Sequence, residues 1–136
     1  MIVLYDGDCG VCRVSVALLL RWDRSGSLEP VTLQSERAAR LLIGMNEATR
    51  MASSHVVLAD GRILSGAAAA PEVLKSLPGG RALAAIARRL PRTTGRFYRA
   101  VAGNRDRIGP LLPPRVGDWA RRELKRHHMR GPTRAT

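Results

Sequence analysis

Ile2-Val3-Leu4-Tyr5-Asp6-Gly7-Asp8-Cys9-Gly10-Val11-Cys12 opens the chain and decides how the rest is read. Its first four residues form an unbroken apolar run, the pattern of a short strand covered on both faces. Asp6-Gly7-Asp8 breaks that run. Beyond it Val11, Val14, Leu18 and Trp22 recur at helical spacing, and residues 23–26 end the helix they predict. Residues 28–34 then read as a second strand. Joined to the first through a helix, it should run parallel to it with a right-handed crossover. Pro30 inside this segment points to an edge position.

The alternation continues. Ser35 suits the N-cap of a helix carrying Ala38, Leu41, Leu42 and Met45 on one face. Residues 55–59 and 62–64 flank Asp60-Gly61, a dipeptide that favours the tight turn between antiparallel strands. A third helix is expected over residues 65–77, with Pro71 either in its first turn or kinking it. Pro78-Gly79-Gly80 closes the unit. The order strand, helix, strand, helix, hairpin, helix predicts an α/β fold on a mixed four-stranded sheet.

The chain's 136 residues make about one domain, and 45% apolar with 25% charged residues is ordinary for a globular protein. The longest nearly apolar stretch, residues 14–22, is far short of the roughly 20 residues that span a bilayer. No basic segment precedes an apolar one at the start, so a cytoplasmic location is expected. The net charge of +12 is unevenly spread. Residues 1–80 hold eight basic and eight acidic side chains, whereas residues 81–136 hold fifteen basic ones against Asp106, Asp118 and Glu123. The protein therefore has a neutral body, residues 1–80, and a cationic end.

Chemistry concentrates in Cys9-Gly10-Val11-Cys12. A helix start has unsatisfied N–H groups that favour negative charge, so a thiolate at Cys9 is stabilised there. Cys12, one turn on, is placed to attack a mixed disulfide on Cys9. Two buried structural cysteines, or half a zinc site, are the competing readings. Zinc would need two further ligands, and there is no second C-x-x-C. Asp6 and Asp8 oppose the helix field with about 1 to 4 kcal/mol if they point at the sulfur. The helix end returns only about 0.3 to 2 kcal/mol, so the pair is not expected to be a strong oxidant. Alternatively Asp6 accepts a proton from Cys12, or either aspartate simply caps the helix.

These residues resemble a known family. Residues 5–12 are similar to the D-x-x-C-x-x-C signature of the DCC family of thiol-disulfide oxidoreductase-like proteins. The likeness continues through Leu33-Gln34-Ser35, Asp60-Gly61-Arg62 and residues 98–109, with Asn104, Arg105 and Arg107. It covers roughly residues 1–112 and implies a thioredoxin-like redox core at 1–80. It also implies that Asp6, Cys9 and Cys12 are the functional residues. Supporting positions are Asp8, Gly10 and Ser54. Thioredoxins proper place a proline opposite the cysteines, and with none between Pro30 and Pro71, Ser53, Ser54 or His55 must fill that place. Here Asp8 also replaces the aromatic residue that precedes their first cysteine.

In the cationic end, residues 81–90 carry Leu83, Ile86, Ala87 and Leu90 on one face, and residues 94–104 repeat the pattern with Phe97 and Val101. Amphipathic helices over 81–114 are expected to pack on the core as part of the same domain, arginines outward. Residues 115–136 are expected to be a basic, partly disordered tail, with a short helix around Trp119 and Leu124. The expected function is exchange of a Cys9–Cys12 dithiol with protein or small-thiol disulfides, with no cofactor beyond that disulfide. Its partners would be an unidentified disulfide-bearing substrate and a recycling reductase. The alternative is a non-catalytic binding module with the dithiol as redox sensor. Its Arg-rich helices would then contact an anionic membrane surface or an acidic partner. With few aromatic platforms and no helix-turn-helix or zinc-finger pattern, nucleic acid is the weaker choice.

Overall fold

In the computed structural model, which describes residues 1–130, the apolar run Ile2–Tyr5 is strand β1. It pairs in parallel with β2 (Glu29–Thr32) and antiparallel with β3 (His55–Val57), which in turn pairs antiparallel with β4 (Ile63–Ser65). The order β2-β1-β3-β4 makes a mixed four-stranded sheet with Pro30 on an edge strand, the α/β arrangement of a thioredoxin-like fold. Successive side chains of a strand face opposite ways, so β1 feeds two cores. Val3 and Tyr5 join Val16, Ala17, Leu20 and Val56 on one face, while Leu4 joins Val31, Leu33 and Leu42 on the other.

Helix α1 (Gly10–Trp22) connects β1 to β2, but its buried face is Val16, Ala17 and Leu20. Leu18 and Trp22, expected inside, are exposed, and the Trp22 indole donates to the Pro78 carbonyl at 3.0 Å. Residues 16–20 are apolar all round, so spacing alone does not identify the inward stripe. Helix α2 (Glu36–Leu41) is capped by Ser35, whose hydroxyl accepts from the Ala38 N–H at 3.1 Å. It stops earlier than its apolar spacing implied. A further helix, α3 (Glu47–Ala52), follows, capped by Asn46, and was not foreseen.

Between β3 and β4 the Leu58 N–H donates to the Arg62 carbonyl and the Gly61 N–H to the Leu58 carbonyl. Gly61 has φ +83°, so the turn is a three-residue loop ending on a left-handed glycine. The third expected helix begins as a 3₁₀ turn, Gly66–Ala69, and continues as α4 (Ala70–Ser76) with Pro71 in the first turn. The chain then reverses into α5 (Arg81–Arg89). A Cβ on Gly80 would lie 2.0 Å from the Leu74 carbonyl oxygen, so only glycine permits this reversal.

Beyond Gly80 the expectations need two corrections. Helix α5 is held through Ala84 and Ala87, and Leu83, Ile86 and Leu90 are not packed inward but remain exposed. Small alanines allow close approach of α4, which turns the larger side chains away. After α6 (Pro91–Gly103), α7 (Arg105–Ile108) and a 3₁₀ turn at Gly109–Leu111, the short helix expected around Trp119 and Leu124 proves to be a long one, α8 (Pro114–Arg130), in place of a partly disordered tail over those residues. It packs along α1, with Ala120 and Leu124 buried in the larger core. A single four-residue step of apolar positions among many charges suffices to dock it, and that step is easily passed over. Residues 131–136 of the expected tail lie outside the described residues.

Asp23 ties α1 to β2. Its carboxylate accepts from Ser25 Oγ at 2.7 Å, Ser27 Oγ at 3.2 Å and the Leu28 N–H at 2.7 Å. Burial opposes its ionisation, but these hydrogen bonds outweigh it and hold the carboxyl below its ordinary range. A depressed folded-state value stabilises the fold above the ordinary carboxylate range, and that stability is lost as pH falls through the depressed value. Asp23→Ala is therefore expected to cost roughly 2 to 3 kcal/mol at neutral pH. In urea titrations the gap from the parent protein should narrow on acidification.

Candidate active site

β1 ends at Tyr5, and the next four residues bring the chain to the start of α1. Cys9 is the N-cap, with extended backbone (φ −79°, ψ 117°), and its Sγ accepts from the Cys12 N–H at 3.2 Å. The sulfur thus takes the place of a capping oxygen, facing the positive end of the helix. Neither aspartate caps α1. Cys12 is half-buried one turn on, and burial pushes its thiol up to about 12, helped by the hydrogen bond with Cys9, the Cys9 charge and the Asp6 charge. Arg105 pulls the other way. The two thiols are thus unlike: a capping sulfur and a sheltered, protonated one.

Asp6 is held from three directions. Its Oδ1 accepts from the Asp8 N–H at 3.0 Å and from Gln34 Nε2 at 2.7 Å, while Oδ2 lies 4.0 Å from an Arg105 guanidinium nitrogen. Gln34 Nε2 also reaches the exposed Asp8 carboxylate at 3.3 Å, and its Oε1 accepts from the Gly7 N–H at 3.1 Å. One side chain therefore clasps the whole Asp6-Gly7-Asp8 loop. Arg13 donates to the Gly7 carbonyl at 2.7 Å, so it serves the loop backbone. Arg105 also donates to the Met51 carbonyl, at 3.4 Å, which joins α7 to the end of α3.

Gly10 begins α1, where a Cβ would meet Gly109 and Leu112 at ordinary contact distance, so the C-terminal segment lies against the helix start. Ser54 immediately precedes β3. The register Leu4↔His55 brings it to the end of β1 from which the cysteine loop departs. Its N–H and hydroxyl engage the Tyr98 hydroxyl at 3.2 and 3.1 Å. Among the described residues no hydrogen bond joins Ser54 to either thiol. His55 is fully buried and satisfied by Ser65 Oγ at 2.7 Å and the Arg50 carbonyl at 2.9 Å, as a core histidine.

Sequence reasoning thus singled out Asp6, Asp8, Cys9, Gly10 and Cys12, which the fold gathers at one loop, with Ser54 beside it on the neighbouring strand. It missed Gln34, Arg105 and Tyr98 as site residues. All three fall in the stretches that carry the family resemblance, which was the available signal. Among the described residues no group of three or more His, Cys, Asp or Glu side chains forms a metal site. A concavity of about 770 Å³ runs along the β2 edge beside His127 and His128 and includes neither thiol.

The clasp yields a direct expectation. Gln34→Ala removes three hydrogen bonds, two of them to carboxylates, at a partly solvated loop. It should cost about 1 kcal/mol and make the Gly7 amide exchange faster with solvent, leaving the α1 amides beyond the first turn unchanged.

Comparison with known proteins agrees with this geometry. Residues 3–110 match the DCC1-like thiol-disulfide oxidoreductase family. Over 78 residues the chain is 31% identical to the uncharacterized protein YuxK of Bacillus subtilis (strain 168). That alignment covers 57% of this chain and 57% of its relative, so the match spans little more than half of each. No solved structure matches the chain. With the family match running from β1 through α7, the chain belongs to the DCC1-like thiol-disulfide oxidoreductase family.

Proposed function

We propose that the protein is a thiol-disulfide oxidoreductase in which Cys9 is the nucleophile, Cys12 the resolving thiol and Asp6 the proton acceptor. The observation that carries this reading is the asymmetry of the two sulfurs. Cys9 accepts a backbone hydrogen bond at a helix start, whereas the Cys12 thiol is pushed up to about 12 by burial and by its neighbours.

The chemistry balances without an added cofactor. The Cys9 thiolate attacks a substrate disulfide, one substrate sulfur leaves as thiolate, and a mixed disulfide joins Cys9 to the other. Forming that bond removes the Cys9 charge, one of the causes that keep Cys12 protonated. Asp6 then takes the Cys12 proton, and the Cys12 thiolate attacks Cys9 Sγ. The Cys9–Cys12 disulfide forms and the second substrate thiolate departs. Two electrons have passed from the dithiol to the substrate. A dithiol, or two small thiols in succession, returns them by the reverse exchange.

Arg105 and Gln34 are positioning residues in this scheme. They hold the Asp6 carboxylate between a cation and an amide donor, close enough to Cys12 that its charge raises that thiol. Asp8 and Gly10 shape the loop, and Ser54 lies beside it.

Reduction of a protein disulfide by dithiothreitol, followed as turnover, tests the reading. Cys9→Ser should abolish the catalysed rate, and Cys12→Ser should accumulate the mixed disulfide, visible as a covalent adduct by mass. Asp6→Asn should slow resolution about 100-fold at neutral pH, with partial recovery as pH rises. If the parent protein shows no turnover, or if Cys9→Ser retains it, the enzyme reading is wrong and a binding module with a redox-sensing dithiol takes its place.

A further inference from the structure

The helices beyond Gly80 carry a surface that the thiol chemistry does not use. Leu83 and Ile86 on α5 and Leu90 at its C-cap are 46%, 54% and 50% exposed, and Phe97 on the adjoining α6 is 73% exposed. Arg81, Arg89, Arg92, Arg96 and Arg99 are interspersed with them along the sequence, and no acidic residue occurs between Arg81 and Arg105. Among the described residues none of these five has an acidic partner, while Arg88 pairs with Glu72 at 2.6 Å.

This patch combines four large apolar side chains with five uncompensated guanidinium groups on two short helices. Contact with a second copy through the same face would set like charges against each other. Single-stranded nucleic acid would answer the charge, but stacking would use aromatic platforms, and Phe97 is the one exposed aromatic ring on these helices. An anionic bilayer answers both features. Leucine, isoleucine and phenylalanine side chains enter the boundary between headgroups and acyl chains, and arginines pair with lipid phosphates above it. No helix among the described residues is long and apolar enough to cross a membrane, so the contact would be peripheral.

We propose that α5 and α6 form a docking surface for anionic phospholipid, with Leu83, Ile86, Leu90 and Phe97 inserted and Arg81, Arg89, Arg92, Arg96 and Arg99 bound to headgroups. The thiol loop is built from β1 and the start of α1, which contribute none of these nine residues. This proposal is independent of the redox reading.

Co-sedimentation of the full chain with vesicles tests it. The protein should sediment with equimolar phosphatidylcholine and phosphatidylglycerol and stay in solution with phosphatidylcholine alone, and added salt should release it. Each of Arg89→Gln, Arg92→Gln and Arg96→Gln should lower partitioning roughly fivefold. Ile86→Asn and Phe97→Ser should each lower it at least about tenfold, with helical circular dichroism unchanged because both side chains are more than half exposed. Three outcomes overturn the proposal. They are absence of sedimentation with the anionic vesicles, equal sedimentation with neutral ones, and sedimentation indifferent to the two apolar substitutions. Binding of a single-stranded oligonucleotide without vesicle binding, weakened by the same arginine changes, would reassign the surface to nucleic acid.

Discussion

Burial of β1 on both faces governs where every reactive group stands. Val3 and Tyr5 are sealed by α1, α4 and α8 side chains, and Leu4 by the smaller core on the other face. The chain cannot stay extended beyond Tyr5 without leaving the sheet, so it turns through Asp6-Gly7-Asp8 and re-enters as a helix laid back over the strand. The helix start that results needs a partner for its free N–H groups. Cys9 supplies one with sulfur, 3.2 Å from the Cys12 N–H. Placement of the thiols is thus a consequence of the strand's burial.

Opposed charges fill the small volume around that turn. Asp6 raises the Cys12 thiol and Arg105 lowers it, while Gln34 and the Asp8 N–H hold the carboxylate in place. The cation comes from α7, about a hundred residues along the chain from the carboxylate it faces. In this way the C-terminal helices serve the loop electrically as well as mechanically. Gly109 and Leu112 complete the same contact beside Gly10. The family match likewise continues past the sheet, through residue 110.

The parallel pairing of β1 with β2, the edge position of β2, the β3–β4 hairpin and the cysteine loop were legible in the sequence because each rests on local signals. These are an unbroken apolar run, a proline, an Asp-Gly turn and a C-x-x-C at a strand-to-helix switch. What could not be read depends on partners distant in the chain. The inward stripe of α1 is set by α8, whose docking rests on Ala120 and Leu124 among many charges. The outward turn of Leu83 and Ile86 is set by two alanines and by the reversal at Gly80. Gln34 looked like the end of a strand until the fold brought it, 28 residues along the chain, onto Asp6.

The central claim is that Cys9 and Cys12 form a reversible two-electron couple tuned by that charge arrangement. Its most direct test is the reduction potential of the pair, measured by equilibrating the protein with glutathione or dithiothreitol buffers and trapping the free thiols. With the Asp6 charge set against the helix field, the account predicts one two-electron transition on the reducing side, nearer about −270 mV than about −120 mV. A potential near the oxidising limit, or thiols that never form an intramolecular disulfide, would contradict it.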